Sequence, residues 1–265
     1  MSFRLSFAPW PSAEEPAFEY AEVPWDSRTF GFPVYEVRVP GTGERESLGE
    51  ALRAWTTKCL PPGKTFAFTK IDATDLVTSR AFAQAGFYVA EASLDIAVSL
   101  AKMTPIPAPK RPFATLRAAT EADIPAVVEI AKEAFTHDRF HLDPGFPREA
   151  ADTRYAGWVE GGFRSGDPLY VFESTGAKPT VAGFYLLKQV DETSVNLSLA
   201  AVGRVFRQSG LGGLMYQDVL VECQRLGFRR AETTISASNT DVANVFARLG
   251  FGILRTRFCL HRFGG

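Results

Sequence analysis

The sequence predicts an α/β fold built on a mixed sheet, and three observations predict it. From residue 113 onward, strand-like apolar runs alternate with segments of helical character. Within that region, the turn Arg207-Gln-Ser-Gly-Leu-Gly-Gly213 joins an apolar run, Val195–Val202, to an amphipathic one, Leu211–Leu226. Upstream, Met103-Thr-Pro-Ile-Pro-Ala-Pro-Lys-Arg-Pro112 carries four prolines. That spacing favours an extended connector over a helix or sheet interior. The expected organisation is therefore an N-terminal region, 1–102, a linker, 103–112, and a C-terminal domain, 113–265.

The elements of the C-terminal region follow in order. Phe113–Arg117 reads as a strand. Thr120-Glu-Ala-Asp123 is a capping signal, and Ile124, Val127, Val128, Ile130 and Ala131 continue it as a helix. A second helix is expected over Arg148–Gly161. Strands at Leu169–Ser174 and Val181–Lys188 bracket a Gly-Ala-Lys-Pro turn, the arrangement of a hairpin. Then come a strand at Ser194–Val202, a helix at Leu211–Leu226, a strand at Arg230–Ser236, a helix at Asp241–Leu249 and a last strand at Gly252–Arg262.

The N-terminal region repeats part of this pattern. Ile71-Asp-Ala-Thr-Asp75 leads through a helical stretch into Phe82-Ala-Gln-Ala-Gly-Phe87 and a strand, Tyr88–Leu100. Ile235-Ser-Ala-Ser-Asn239 leads in the same way into Phe246-Ala-Arg-Leu-Gly-Phe251. At a constant offset, Ile, Ala, Phe, Ala, Gly and Phe coincide.

Composition limits the functions. The chain has 265 residues, 46% of them hydrophobic, enough for a full core. A net charge of −1 provides no field for nucleic acid or an anionic membrane surface. No apolar run reaches the ~20 residues of a membrane span, and the N-terminus lacks a signal-peptide core, so the cytoplasm is expected. Cys59, Cys223 and Cys259 are odd in number and far apart, and read as small buried hydrophobes of a reducing compartment.

Chemistry concentrates in the glycine turn. A strand, a glycine-rich turn and a helix together expose backbone N–H groups where a pyrophosphate can sit, and glycines let the backbone approach phosphate oxygens. A glycine turn can also simply make a tight corner. The spacing matches neither the Walker loop nor the dinucleotide fingerprint. Arg-x-x-Gly-x-Gly instead resembles the acetyl-CoA pyrophosphate loop of the GNAT N-acetyltransferases. Ala231 through Asn239, then Val242, Phe246 and Leu249-Gly250-Phe251, stand in that family's order and spacing. The resemblance covers roughly Thr115–Phe263. It implies a complete GNAT domain there, preceded by a degenerate GNAT-like half that lacks the loop and should bind no CoA. Trp25 to Pro33, the stretch Phe135 to Pro144, Tyr155 and Trp158 are similar to the tandem GNAT proteins akin to TDP-fucosamine acetyltransferase.

The resemblance also implies roles. Arg207 opens the loop, and the backbone of Gln208, Ser209, Gly210, Leu211, Gly212 and Gly213 takes the pyrophosphate of acetyl-CoA. Ala200, Ala201 and Val202 part from the neighbouring strand and pair with pantetheine, with Val202 offering an N–H to the acetyl oxygen. Asn239 contacts the pantetheine arm, although its place before a helix also suits an N-cap. Phe246 occupies the position where the family commonly carries the tyrosine that protonates the departing thiolate, and a phenyl ring has no proton to give. His141, and less so His137, is the candidate base. His137, His141, Asp138 and Asp143 have the density of a zinc site but no third strong ligand at sensible spacing, so no metal is expected. Arg139 is a candidate for the phosphate of a nucleotide-linked sugar or for a salt bridge with Asp138 or Asp143. The implied activity is acetyl transfer to the primary amine of a small acceptor such as a nucleotide-linked amino sugar. The alternatives are a protein, peptide or polyamine acceptor, or a CoA-binding sensor without turnover. Oligomeric state stays open, a homodimer included.

Overall fold

The computed structural model describes residues 5–11, 16–41, 47–102, 114–175, 177–207 and 211–264. The expected linker, 103–112, and loop residues Gln208, Ser209 and Gly210 lie outside them. In chain order the elements are β1 (Ala8–Trp10), β2 (Phe18–Glu22), α1 (Pro24–Phe30), β3 (Val34–Arg38), α2 (Leu48–Lys58), β4 (Thr65–Asp72), α3 (Leu76–Gln84) and β5 (Tyr88–Ser99). They continue with β6 (Ala114–Ala118), α4 (Ile124–Ala134), α5 (Arg139–Leu142), α6 (Arg148–Arg164), β7 (Leu169–Ser174), β8 (Val181–Gln189) and β9 (Ser194–Val202). Last come α7 (Leu211–Arg225), β10 (Arg230–Ser236), α8 (Thr240–Arg248) and β11 (Gly252–Gly264). The short α5 was not expected, and α6 runs beyond its expected end.

Contacts group the chain into two compact units. One holds Leu94–His137 and Ala151–Leu254, the other Ser2–Ser93, Asp138–Ala150 and Arg255–Gly265. The grouping differs from a simple division at the proline-rich segment. Its physical reason lies in the second unit, where β11 pairs with β4 from Arg257 to Gly264 and where Asp143 binds His261.

In the first unit the strands run β5, β10, β9, β8, β7, β6. β9 and β10 are parallel, and β6 through β9 form an antiparallel meander. The buried runs in β7 and β8 face both ways. Val171, Phe184 and Leu186 pack with Val127 and Ala131 of α4 and with Tyr155 and Val159 of α6. Phe172, Tyr185 and Leu187 pack with Leu211, Met215 and Val219 of α7 and Phe246 of α8. The capping signal at Thr120 forms a reciprocal box with Asp123, whose carboxylate is held well below its usual range by Arg117.

In the second unit the order is β1, β2, β3, β4, β11, β5, with β3 and β4 parallel and the other registered pairs antiparallel. α2 and α3 cover one face, burying Leu52, Trp55 and Phe82 against Phe18, Val37, Ala67 and Ile71. A second aromatic group joins Phe30, Phe32, Phe66, Phe140, Phe146 and Phe263, and Phe66 meets the His261 ring edge-on at 4.7 Å. Cys223 and Cys259 are buried as expected, while Cys59 is only half-buried.

The repeat is present in the backbone itself. Asp75 (φ −81°, ψ 72°) and Asn239 (φ −85°, ψ 70°) both cap their helices with a side-chain oxygen that accepts from the N–H three residues on. Gly86 and Gly250 both take φ +84°, a left-handed turn that favours glycine. Phe87 N–H returns to Phe82 O and Phe251 N–H to Phe246 O, each at 3.0 Å.

Candidate functional site

The site begins where β9 and β10 stop pairing. Their register runs from Arg230 opposite Ser194 only to Glu232 opposite Asn196, although β9 continues to Val202 and β10 to Ser236. β9 stays on β8 as far as Val202 opposite Gly183, with Ser198 bulged between the pairs made by Leu197 and Leu199. A bulge bends and twists its strand, and this one lies just beyond the last β10 pair. At the opening, Thr233 Oγ1 donates to the Leu197 carbonyl at 2.8 Å, where the ladder bond is missing.

Donor directions follow from the pairing. Gly203 N–H donates to Ala182 O on β8 at 2.9 Å. N–H groups alternate along a strand, so the Val202 N–H is turned to the side that β10 has left. Gly183 fixes how closely β8 approaches. A Cβ there would stand 2.8 Å from Ala201 O and 3.0 Å from Met215 Sδ, so only glycine fits without displacing the strand.

The same end of β9 meets the start of α7. A Cβ on Gly212 would come no nearer than 4.0 Å, to the Val202 side chain, and one on Gly213 would meet nothing within 4 Å. The first turn of α7 holds no acidic residue, so its N-terminal field is not neutralised locally. Arg207 frames this end. Its Nε donates to Val202 O at 3.3 Å and its Nη2 to Glu133 O at 2.8 Å, which ties the strand end to the end of α4. Nearby, Ser238 Oγ donates to His137 O at 3.2 Å. The structure thus brings Val202, Arg207, Leu211 and Gly212 together, with Leu211 buried beside the exposed Gly213.

Asn239 and Phe246 have definite structural work. Asn239 Oδ1 accepts from Val242 N–H at 3.3 Å as the N-cap of α8. Phe246 is 3% exposed and sits 4.7 Å from both the Tyr216 and the Phe251 rings, in the core between α7 and the sheet. Burial pushes the Tyr216 hydroxyl up to about 12, so it stays protonated at neutral pH.

The histidines have unequal surroundings. His141, in the second unit, has a ring with only 3% of its surface exposed, its Nδ1 in hydrogen-bond contact with Asp138 Oδ2. Asp138 also caps α5 by accepting from Phe140 N–H at 2.9 Å. The sequence had no signal for His261, which is fully buried. Its Nδ1 meets Asp143 Oδ2 at 2.7 Å, and Asp143 also accepts from Tyr88 Oη at 2.6 Å and from Gly145 N–H at 2.9 Å. Burial is the main cause that lowers His261 to about 4. Arg139 is anchored on this network, with Nη1 3.0 Å from Cys259 Sγ and 3.3 Å from His261 Nε2. Its guanidinium lies over the Phe68 and Phe140 rings at 4.0 and 4.3 Å.

Residues 114–252, just over half the chain, match the family model of the acetyltransferase (GNAT) domain. The dTDP-fucosamine acetyltransferase of Escherichia coli O6:H1 (strain CFT073) is 25% identical over 243 residues, covering 90% of this chain and 95% of that protein. Among solved structures, a GCN5-related N-acetyltransferase from Sphaerobacter thermophilus superposes with a TM-score of 0.68 at 17% identity, over 94% of this chain and 77% of its own. A tandem GNAT protein of the clavulanic acid biosynthesis pathway gives 0.63 at 15% identity, over 94% and 80%. Among the described residues, no helix is long and apolar enough to cross a membrane.

Proposed function

The chain belongs to the GNAT acetyltransferase family and is an acyltransferase, and from that premise we propose that it transfers acetyl from acetyl-CoA to the primary amine of a nucleotide-linked amino sugar in the cytoplasm. The observation that carries the transfer is the parted end of β9. There a strand with an inward-facing Val202 N–H abuts a helix start whose glycine positions leave room for a ligand. The acceptor class is supported by the relative that is 25% identical along nearly the whole chain and acts on dTDP-fucosamine.

The residues present fit acetyl-CoA. The start of α7, with Gly212 and Gly213, offers N–H groups and an unneutralised dipole to the pyrophosphate. Gln208, Ser209 and Gly210 complete the loop in the proposal. Acetyl-CoA supplies the activated thioester. The exposed edge of Ala200 and Val202 pairs with the pantetheine amides, while Ala201 faces β8. The Val202 N–H meets the oxygen that becomes negative as the amine nitrogen bonds to the carbonyl carbon. The C–S bond then breaks, the thiolate leaves, and the new amide nitrogen loses its extra proton. His141 is the proposed acceptor of that proton, with Asp138, whose Oδ2 meets its Nδ1, as a positioning residue. Phe246 donates no proton, so the thiolate is protonated from solvent.

The test is thiol release over a panel of amines, with acetyl-CoA binding followed by calorimetry. Turnover on a nucleotide-linked amino sugar at a kcat/KM well above that on simple amines, lysine peptides and polyamines is the expected result. Tight acetyl-CoA binding with turnover on none of them would make the protein a sensor and overturn the reading. The core position of Phe246, where the family carries its acid, is the feature that favours that second reading.

A further inference from the structure

An aromatic stack runs from the parted strands to the surface of the first unit. The segment after α4 crosses the opening. Glu133 O accepts from Arg207 Nη2 at 2.8 Å on the β9 side, and His137 O accepts from Ser238 Oγ at 3.2 Å, in the turn after β10. Phe135 lies midway between those two anchors. Its backbone is extended (φ −94°, ψ 121°) where α4 ends. Its ring stacks on Tyr155 of α6, with centroids 4.2 Å apart and planes 18° from parallel. Tyr155 in turn stacks with Trp158 at 6.2 Å and 25°.

The three rings differ in burial. Phe135 and Tyr155 belong to the core that joins α4 and α6 to β7, β8 and β9. Trp158, three residues along α6 from Tyr155, is 39% exposed. A helical side chain leans towards the N-terminus of its helix. Trp158 accordingly rests on Tyr155, with the Arg154 guanidinium 5.5 Å from its ring centroid. Its neighbours on the other side, three and four residues on, are Gly161 and Gly162. Gly161 has no side chain to lay over the indole. Gly162 is packed down on Leu186, whose Cδ2 would stand 2.8 Å from an added Cβ. An indole held from behind by a rooted stack and open in front is a surface on which a second flat ring can stack.

We propose that Trp158 stacks on the base of the nucleotide-linked acceptor and so sets the preference for that acceptor over simple amines. The inference rests on the acceptor reading. The base is the end of such a molecule farthest from its amine, and Trp158 is the end of the stack farthest from the opening at Val202. Phe135 and Tyr155 are positioning residues that fix the indole relative to that opening. Every base has a π-face, so the contact selects a nucleotide without choosing among bases.

The experiment is titration of thymidine diphosphate into the whole protein with saturating coenzyme A, followed by calorimetry and by indole fluorescence. Wild type, Trp158→Leu, Trp158→Tyr and the control Val190→Ala, from exposed surface just past the far end of β8, are compared, with melting temperature as a check on folding. Leucine keeps an apolar side chain against Tyr155 and removes the stacking face, whereas tyrosine keeps a face. Saturable binding that quenches indole emission is expected in wild type. Affinity should fall by about 5–100-fold in Trp158→Leu, return in Trp158→Tyr and hold in Val190→Ala. Inorganic pyrophosphate, which has no base, should not distinguish wild type from Trp158→Leu. If Trp158→Leu melts early, Trp158→Tyr decides alone: it should bind the nucleotide with the quenching lost, and undiminished quenching would overturn the contact. Equal nucleotide affinity in wild type and a folded Trp158→Leu, or no saturable binding to wild type, would also overturn it. An unchanged KM for a nucleotide-linked amino sugar in Trp158→Leu refutes the contact and leaves the activity standing. Trp158-dependent nucleotide binding in a protein that acetylates no amine refutes the acceptor reading and leaves the contact standing.

Discussion

Acidification should cost the protein about 3 kcal/mol of stability through the single side chain of His261. Its ring is 0% exposed. Nη1 of Arg139, which can only donate, lies 3.3 Å from Nε2, so Nε2 must hold a lone pair and the proton must sit on Nδ1, facing Asp143 Oδ2 at 2.7 Å. Protonating Nε2 would aim an N–H at a guanidinium inside a desolvated site. Burial chiefly, and Arg139 after it, therefore lower the folded-state value to about 4 from an ordinary 6.5, against the pull of Asp143. That difference, at about 1.4 kcal/mol per unit, gives the figure of about 3 kcal/mol. Between those two values the unfolded chain binds the proton and the folded protein does not. The contribution is therefore complete above pH about 6.5, lost as pH falls towards about 4, and constant below that. Asp143 stays anionic across most of this window. Burial pushes its carboxyl up, but hydrogen bonds from His261, Tyr88 and Gly145 outweigh that and hold it below its usual range. The assay is urea unfolding at half-unit pH steps for wild type and His261→Asn. The variant will be less stable at every pH, but its curve should be flatter by about 3 kcal/mol between pH 7 and 4. Parallel curves would refute both the neutral tautomer and the role of Arg139 in fixing it.

Three further outcomes follow from the first unit. Phe246→Ala should cost about 3–5 kcal/mol, the range for emptying a buried phenylalanine site, and lower the melting temperature by roughly 10 °C by scanning calorimetry; a loss under about 1 kcal/mol would contradict its core position. Thr233→Val removes the donor to the Leu197 carbonyl at the strand opening, and should cost about 1–3 kcal/mol in denaturant unfolding while weakening acetyl-CoA binding. Asn239→Asp keeps the cap oxygen and removes the amide donor, so the melting temperature should hold while acetyl-CoA affinity by calorimetry drops about 3–10-fold, the worth of one hydrogen bond; unchanged affinity would leave Asn239 with the cap alone.

What the sequence made legible was local. The helix starts at Thr120 and Asn239, the strand–turn–helix at Arg207 and the repeat from Ile71 to Phe87 each lie within one stretch of chain, where spacing alone carries the signal. The rest depends on partners distant in the chain. Asp143 read as a turn residue, because nothing near it announces a histidine at 261. Arg139 read as a phosphate ligand or a salt-bridge partner, and its contacts with a thiol, an imidazole and two rings, from β4, α5 and β11, are ones that no spacing rule announces. The bulge at Ser198 was hidden because both Leu197 and Leu199 are apolar and buried, so the pattern reads through the extra residue without a break. Arg207 read as the opening of the loop, and its two carbonyl partners come from β9 and α4, which no spacing rule links.

The two halves of the repeat separate what folds from what binds. Asp75 and Asn239 share a backbone conformation and a capping bond, so each satisfies the same demand of a helix start. Their second side-chain atoms differ. Asp75 uses Oδ2 to accept from Thr78 Oγ1 at 2.8 Å and has no hydrogen to give. Asn239 carries an amide nitrogen that can only donate, which the proposed contact with a pantetheine carbonyl would use. The glycines differ likewise. A Cβ on Gly49, at the start of α2, would meet Gln84 Oε1 at 2.9 Å and the backbone of α3, so that glycine serves packing, whereas at the start of α7 a Cβ on Gly213 would meet nothing within 4 Å and one on Gly212 only the Val202 side chain at 4.0 Å. One half of the repeat has spent its small residue and its cap on its own core, and the other keeps a donor and an opening. That asymmetry, more than the missing loop motif, is the physical reason to expect one molecule of acetyl-CoA per chain.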